Sequence, residues 1–175
     1  MSWDPFDEEP EEPAHFDVAQ VCLNGHVVTP ASQRSPERQQ RRCVKCGEAT
    51  ITACPECKAE IRGYYYVPGV IDLTGGYSLP SFCHDCGKAY PWTSRRLEAA
   101  KAYAQELNAL TPEERVQLAV SLDELVKDTP MAQVAAGRFK RLAAKAGKEA
   151  SGFFRDILVD VFSETVKKAI WGPGA

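Results

Sequence analysis

The chain has 175 residues, of which 44% are hydrophobic and 26% charged, and its formal net charge is −3. This length suits one ordinary domain or two small ones, and no apolar run approaches the roughly 18 residues of a membrane span. The first residues, MSWDPFDEEPEEPAHFD, lack the basic start and apolar core of a signal peptide. We therefore expect a cytoplasmic protein that has no membrane partner.

The N-terminal segment is acidic and punctuated by proline. Six of the first 13 residues are acidic and none is basic, so the remainder carries a formal charge of +3. Such a segment buries too little apolar surface to offset the entropy of ordering. We predict that residues 1–17 form a disordered acidic tail, in or beside which His15 is inert.

Short strands and turns follow the tail. The stretches HVVT, ATITA and GYYYVPGVIDL are rich in β-branched and aromatic residues, and turn formers such as TPASQRSP, PG and TGG separate them. This pattern extends to Trp92. We predict a small β framework over residues 18–92, and its cysteines suggest what stabilises it.

The seven cysteines and one histidine form four pairs with the spacing of metal ligands. The pairs are Cys22 with His26, Cys43 with Cys46, Cys54 with Cys57, and Cys83 with Cys86. In a reducing compartment such pairs are metal ligands more often than disulfides. Eight ligands fill two tetrahedral zinc sites, one with three cysteines and a histidine and one with four cysteines. We therefore predict two structural zinc ions per chain.

The pairing of these ligands is not settled by loop length. Sequential pairing closes loops of 16 and 25 residues, nested pairing closes loops of 7 and 56, and cross-braced pairing closes loops of 27 and 36. Because loop-closure entropy varies with the logarithm of length, these schemes differ by at most about 0.8 kcal/mol. The stretch EATITA between the second and third pairs alternates like a strand and lacks a turn former, which favours two separate ions. We favour sequential pairing, with cross-bracing second and nesting third. Site 1 then comprises Cys22, His26, Cys43 and Cys46, and site 2 comprises Cys54, Cys57, Cys83 and Cys86.

The remainder of the chain has the pattern of helices. We predict one from Ser94 to Leu107 that is capped by Thr93 or Ser94, and a second that begins at TPEE. In TPEE, Thr111 is the N-cap, Pro112 the first helical residue and Glu114 the partner in a capping box. A third helix begins at Thr129 and Pro130, and a fourth covers residues 152–171. The predicted fold class is α+β: a pair of zinc ribbons, then a bundle of about four helices over residues 93–171, with a flexible end at 172–175.

The motifs resemble a known family. The strings CLNGH, CVKCG, CPEC, IRG and PSFCHDCGKAYPWT, followed by TPEER, DTP, RFKRLAAKAG and FSETVKKAIW, resemble a bacterial family of uncharacterised double zinc-ribbon proteins, a family of unknown function. The likeness covers about residues 18–171, and FCHDCGKAYPWT is its most specific part. The resemblance implies zinc ribbons followed by a helical region, and it implies no activity.

The sequence predicts a binding role. GxSxG, phosphate-loop and HExxH motifs are absent, and a catalytic zinc keeps an open position that two closed tetrads lack. His84 lies inside the last CxxC pair without an acidic partner at a fixed spacing, so we interpret it as an exposed spacer. We expect a non-enzymatic interaction or adaptor module whose partner is a protein.

The alternative is nucleic-acid binding through basic surfaces. The first is a loop between the ligands of site 1, with Arg34, Arg38, Arg41 and Arg42. The second is one face of the predicted third helix, with Arg138, Arg141, Lys145 and Lys148. Strand alternation turns Tyr65 away from its neighbours, where it can stack on a base. The formal charge of +3 for the body is low for this class of protein, which places this hypothesis second.

Overall fold

The computed structural model describes residues 12–70 and 76–173. The protein consists of two compact units, one ending at Tyr90 and the other beginning at Pro91. Among the residues described, no helix combines the length and the apolar character needed to cross a bilayer. Most of the predicted acidic tail, part of the predicted GVIDL strand and the last two residues lie outside the described ranges.

The first unit contains two small antiparallel sheets. Its strands are β1 (His15–Val18), β2 (Gln20–Cys22), β3 (Val27–Thr29), β4 (Thr50–Ile51) and β5 (Arg62–Tyr66). β1 pairs with β5, and β2 lies between β3 and β4. The predicted strands in HVVT, ATITA and GYYYV are confirmed, and a 3₁₀ turn covers Pro36–Arg38.

The predicted tail was too long at its C-terminal end. His15 pairs with Tyr66 and Phe16 pairs with Tyr65, so β1 begins at His15. The His15 and Tyr66 rings lie 5.5 Å apart, and the Phe16 and Tyr65 rings lie 4.8 Å apart. Cross-strand ring contacts of this kind stabilise antiparallel pairs. The composition of the N-terminal segment does not predict these ring contacts, because the partner residues lie 49 or more positions further along the chain.

Asp17 and Gly63 connect this sheet to the segment after β3. The Asp17 carboxylate is buried and accepts hydrogen bonds from the backbone N–H groups of Gln33 and Arg34. At Gly63 a side chain would collide with the carbonyl oxygen of Pro30, because β5 passes directly against that backbone. These contacts hold the segment from residue 30 to residue 34 against the β1–β5 pair.

The second unit is helical. The helices are α1 (Pro91–Glu106), α2 (Pro112–Lys127), α3 (Ala132–Ala146), α4 (Lys148–Leu158) and α5 (Glu164–Trp171). Its core includes Leu118, Leu122, Phe139, Phe154 and Leu158, all at most 1% exposed. The α+β class is confirmed, with five helices in the described residues where about four were predicted.

The helix boundaries depend on capping contacts. The capping box at α2 is present as predicted: the Thr111 hydroxyl accepts from the Glu114 N–H, and the Glu114 carboxylate accepts from the Thr111 N–H. At the predicted start of the third helix, by contrast, the Thr129 hydroxyl accepts from the N–H of Met131, only two residues on, and α3 begins at Ala132. α1 begins at Pro91, earlier than predicted, because proline suits the first helical position.

Two breaks separate the last three helices. Gly147, with φ of 107°, ends α3, and α4 begins at the next residue. The predicted fourth helix is two helices, since Ser163 caps α5 by accepting a hydrogen bond from the N–H of Val166. The buried apolar residues of the two helices include Phe154 and Leu158 on α4 and Val166 and Ile170 on α5.

Candidate metal centres

Each of the three CxxC pairs forms the same backbone turn. The N–H of the first cysteine donates to the carbonyl five residues later, and the N–H four residues later donates back to the cysteine carbonyl. The hydrogen bond donated by the cysteine N–H is 2.8 Å long at Cys43, Cys54 and Cys83. The hydrogen bond accepted by the cysteine carbonyl is 2.7 to 3.0 Å long. Single β-bridges flank each turn. We call these turns knuckles.

Each knuckle needs a left-handed residue directly after its second cysteine. Gly47 and Gly87 occupy this position with φ of 72° and 68°, where glycine has no steric penalty. In the middle knuckle the position is Lys58, with φ of 67°. The strain of a side chain in this conformation costs roughly 1–2 kcal/mol. The lysine ammonium donates a hydrogen bond to the carbonyl of Pro55 within the same turn.

Site 1 brings together the first two pairs of ligands. The Nδ1 atom of His26 lies 3.5 Å from the sulfur of Cys22 and 3.6 Å from that of Cys43. The sulfurs of Cys22 and Cys46 are 3.8 Å apart. All four ligand atoms lie within 4.8 Å of one another.

Site 2 brings together the last two pairs. The sulfurs of Cys54 and Cys86 are 3.8 Å apart, and those of Cys57 and Cys83 are 3.6 Å apart. These four atoms also lie within 4.8 Å of one another. The structure therefore groups the ligands sequentially, and β4 lies in the chain between the two sites. The sulfurs of Cys43 and Cys46 do not converge with those of Cys54 and Cys57.

The donor atoms fit a tetrahedral metal ion. With metal–sulfur bonds near 2.3 Å and metal–nitrogen bonds near 2.05 Å, tetrahedral angles require separations of about 3.8 Å between sulfurs and about 3.5 Å between sulfur and nitrogen. The observed separations are 3.6 to 3.8 Å and 3.5 to 3.6 Å. A disulfide would need about 2.05 Å, and all seven cysteines are free. Both tetrads can therefore hold metal ions.

Backbone N–H groups stabilise thiolates in both tetrads. The pKa of Cys83 is lowered to about 6, chiefly by a hydrogen bond from the backbone of Cys86. The pKa of Cys46 is lowered chiefly by the backbone of Glu48. Burial has the opposite effect on Cys22, whose pKa is raised. Since the thiolate is the ligand form, these backbone hydrogen bonds favour metal binding at Cys46 and Cys83. At Cys57, the backbone hydrogen bond of Ala59 is outweighed by burial and by the neighbouring cysteine side chains, which raise the pKa.

Side chains outside the tetrads also contact the ligand sulfurs. The Asn24 amide donates to the sulfur of Cys46 at 3.5 Å. Tyr90, only 1% exposed, is hydrogen-bonded to the side chain of Cys83. Burial, followed by the charge of that cysteine, raises the pKa of the Tyr90 hydroxyl, so it remains a donor. Such outer contacts orient metal ligands.

The predicted basic loop is exposed. Arg34, Arg38, Arg41 and Arg42 are all exposed, although three of them have partners, and Arg38 is paired with Glu37. The Arg34 guanidinium lies over the Tyr66 ring, and that of Arg42 donates to the carbonyl of Gly47. Tyr65 is 56% exposed and contacts the ring of Phe16.

The predicted basic helix face is not one surface. Lys148 belongs to α4, because Gly147 interrupts the helix that carries Arg138, Arg141 and Lys145. Lys145 is bound to both carboxylate oxygens of Glu114 on α2 at 2.7 Å. The prediction that these basic residues share one helix face is therefore correct only for Arg138, Arg141 and Lys145. The charge of Lys145 is neutralised by Glu114 of α2.

Several residues of the first unit escaped prediction. Phe16 and Asp17 fell in the predicted tail, and Arg62 lies outside both predicted basic clusters. Tyr90 could have been predicted, because it lies four residues after Cys86, where the second strand of a hairpin would return to the metal ligands. His84 is exposed, as predicted, and lines a small surface pocket with Glu60.

One family comparison matches most of the chain. A family model described as "Uncharacterized protein conserved in bacteria (DUF2321)" matches residues 15–170. No curated protein and no solved structure matches the chain. Because the matched region contains both ligand tetrads and nearly all of the helical unit, the chain belongs to this uncharacterised family of bacterial proteins.

Proposed function

We propose that both tetrads hold zinc and that the zinc is structural. The observation that carries this proposal is the completeness of the sites: each supplies four protein ligand atoms that lie within 4.8 Å of one another. Thiolate and imidazole donors suit zinc, and a site with four protein ligands leaves no position for a reacting water. The strands described in the first unit are two to five residues long, so metal ligation supplies much of its folding free energy. A binding role follows, without catalysis.

Metal analysis tests this proposal. Protein purified without chelator should contain two zinc ions per chain, and one or none would overturn the count. Cys86→Ser should reduce the content to one, whereas His84→Ala, inside the same knuckle, should leave two. A chelator should remove the tertiary signals of the first unit and leave most helical circular dichroism, because the helical unit contains no ligand of either site.

We propose further that the zinc-stabilised unit binds a protein partner. Support comes from an aromatic patch formed by Phe16, Arg62 and Tyr65. The side chains of Phe16 and Tyr65 are 47% and 56% exposed, and the Arg62 guanidinium lies 4.9 Å from the Phe16 ring. Exposed aromatic and arginine side chains that contact one another are the composition of interface hot spots.

Affinity purification from the native organism tests the adaptor role. The wild-type protein should retain one partner in stoichiometric amount, and Tyr65→Thr should release it. Tyr66→Thr is the matched control, because Tyr66 is the next residue of β5 and contacts His15 and Arg34, outside the aromatic patch. A wild-type chain that elutes alone, as a free monomer, would contradict the proposal.

Nucleic-acid binding through the arginine loop is the second candidate function. The exposure of all four arginines favours it, and among the described residues the loop has one ion pair, between Arg38 and Glu37 at 3.9 Å. Binding should weaken steeply with salt. Reversing the charge of Arg41 and Arg42 together should abolish it, and reversing Arg138 and Arg141 should have little effect. Salt-independent binding, or none, would remove this candidate.

A further inference from the structure

A pocket of about 350 Å³ lies beside β5 in the first unit. The segment that carries Arg34 and Ser35 lines one part of it, and Tyr66, Val67 and Val70 line another. The volume falls at the lower end of the roughly 300–1,000 Å³ of small-molecule sites. The lining combines aromatic and aliphatic surface with the cation of Arg34 and the carboxylate of Asp17. Because backbone N–H groups already engage that carboxylate, a ligand with both apolar and anionic parts matches the pocket.

A buried carboxylate fixes the main chain of this pocket. Asp17 is 1% exposed, and its two oxygens accept the N–H groups of Val18, Gln33 and Arg34 at 2.6, 3.0 and 3.2 Å. The carboxylate is thus engaged by the backbone and forms no ion pair with the guanidinium. The same contacts position the main chain of Arg34, which limits the entropy lost when its side chain binds a ligand.

The Arg34 side chain is held with its charge available. Its guanidinium carbon lies 3.6 Å from the centre of the Tyr66 ring. Among the residues that the structure describes, no carboxylate forms an ion pair with this group. A guanidinium that stacks on a ring keeps its N–H groups at the edge, where they bind carboxylate or phosphate oxygens in pairs.

We propose that this pocket binds a small planar ligand that carries an oxyanion. Arg34 holds the oxyanion through its N–H groups, and Ser35 supplies a hydroxyl beside it. The ring of the ligand packs against the aromatic and aliphatic wall that includes Tyr66 and Val70. The oxyanion is either a phosphate, as in a nucleoside monophosphate, or a carboxylate, as in an aromatic acid. This role goes beyond the adaptor function because it requires no macromolecular partner.

Calorimetric titration of the full zinc-loaded chain tests the proposal. One arm uses adenosine and uridine monophosphates, the other uses benzoate and indole-3-carboxylate, and adenosine and benzamide are the uncharged controls. Saturable binding in one arm identifies the source of the oxyanion, and the uncharged controls should bind at least about tenfold more weakly.

Three substitutions connect binding to the pocket. Arg34→Gln should weaken binding about tenfold or more, and Arg34→Lys, which retains the charge without the paired donors, should have an intermediate affinity. Arg38→Gln is the matched control on the adjacent 3₁₀ turn and should change affinity by less than about twofold. A zinc content of two per chain verifies folding of each variant. Absence of saturable binding in both arms at millimolar concentration would overturn the proposal, and so would undiminished binding by folded Arg34→Gln protein.

Discussion

Substitution of Gly63 by alanine should destabilise the first unit severely. Gly63 lies in β5, where the strand passes against two other segments of backbone. A Cβ atom at this position would lie 2.8 Å from the carbonyl oxygen of Asp17, 3.0 Å from the amide nitrogen of Ala19, and closer still to the carbonyl oxygen of Pro30. All three atoms belong to the main chain, so no side-chain rotation relieves the clash.

The expected magnitude follows from the contacts that must move. Displacing β5 from Pro30 lengthens the 2.9 Å hydrogen bond from the N–H of Tyr64 to that carbonyl, and it strains the 2.8 Å bond from the N–H of Ala19 to the carbonyl of Ile61. Overpacking costs about 1–3 kcal/mol, and each lost backbone hydrogen bond adds about 1 kcal/mol. We expect the free energy of unfolding of this unit to fall by about 3 kcal/mol or more.

Urea unfolding of the zinc-loaded protein measures this loss. Zinc release reports on the first unit, and helical circular dichroism reports on the second. Gly137→Ala in α3 is the matched control, since no atom lies within 4 Å of its Cβ position. It should stabilise the helical unit by roughly 0.5–1 kcal/mol. A loss below about 1 kcal/mol for Gly63→Ala would refute the close packing of β5 described above.

Three further predictions concern the metal centre and the helices. Tyr90→Phe removes the hydroxyl beside Cys83, so a chelating dye should extract one of the two zinc ions about tenfold more readily; equal extraction from mutant and wild type would show that the hydroxyl does not support the site. Thr111→Ala removes the N-cap of α2 and should lower the free energy of unfolding of the helical unit by about 1 kcal/mol, measured by thermal circular dichroism. The hydrogen bond from Lys145, with a smaller contribution from the N–H of Thr111, lowers the pKa of Glu114. Because this pKa is lower in the folded than in the unfolded state, ionised Glu114 stabilises the fold at a pH above its pKa in the unfolded chain. That stabilisation is lost as the pH falls through the pKa of the folded state. Acid should therefore lower the free energy of unfolding of the helical unit less in Glu114→Gln than in the wild type.

The metal ligands could be predicted from the sequence because their chemistry is local. A CxxC pair with a following glycine specifies a tight turn that directs both sulfurs to one side, and this holds whatever surrounds it. The capping box at Thr111 is local for the same reason: its hydrogen bonds join residues three positions apart. The sequential grouping could also be predicted, because the strand-like EATITA stretch separates the two tetrads.

The errors fall where distant residues meet. β1 was assigned to a tail because its pairing with β5 depends on ring contacts across about 50 residues. On the basic face of α3, the charge of Lys145 is paired with Glu114 of α2, a residue 31 positions earlier in the chain. The start of α3 differed because Thr129 used its hydroxyl in a tighter turn.

The sequence by itself therefore determined the eight ligands, the α+β class and the first turn of α2, since each depends on hydrogen bonds or spacing within a few residues. The tertiary structure alone decided which aromatic and charged side chains remain available at the surface. The position of Arg34 on the Tyr66 ring, the burial of Asp17 and the close approach at Gly63 all depend on β1 and β5 meeting the segment after β3. Residue types specify what a side chain can bind, but only the packing of distant segments determines whether it is already engaged.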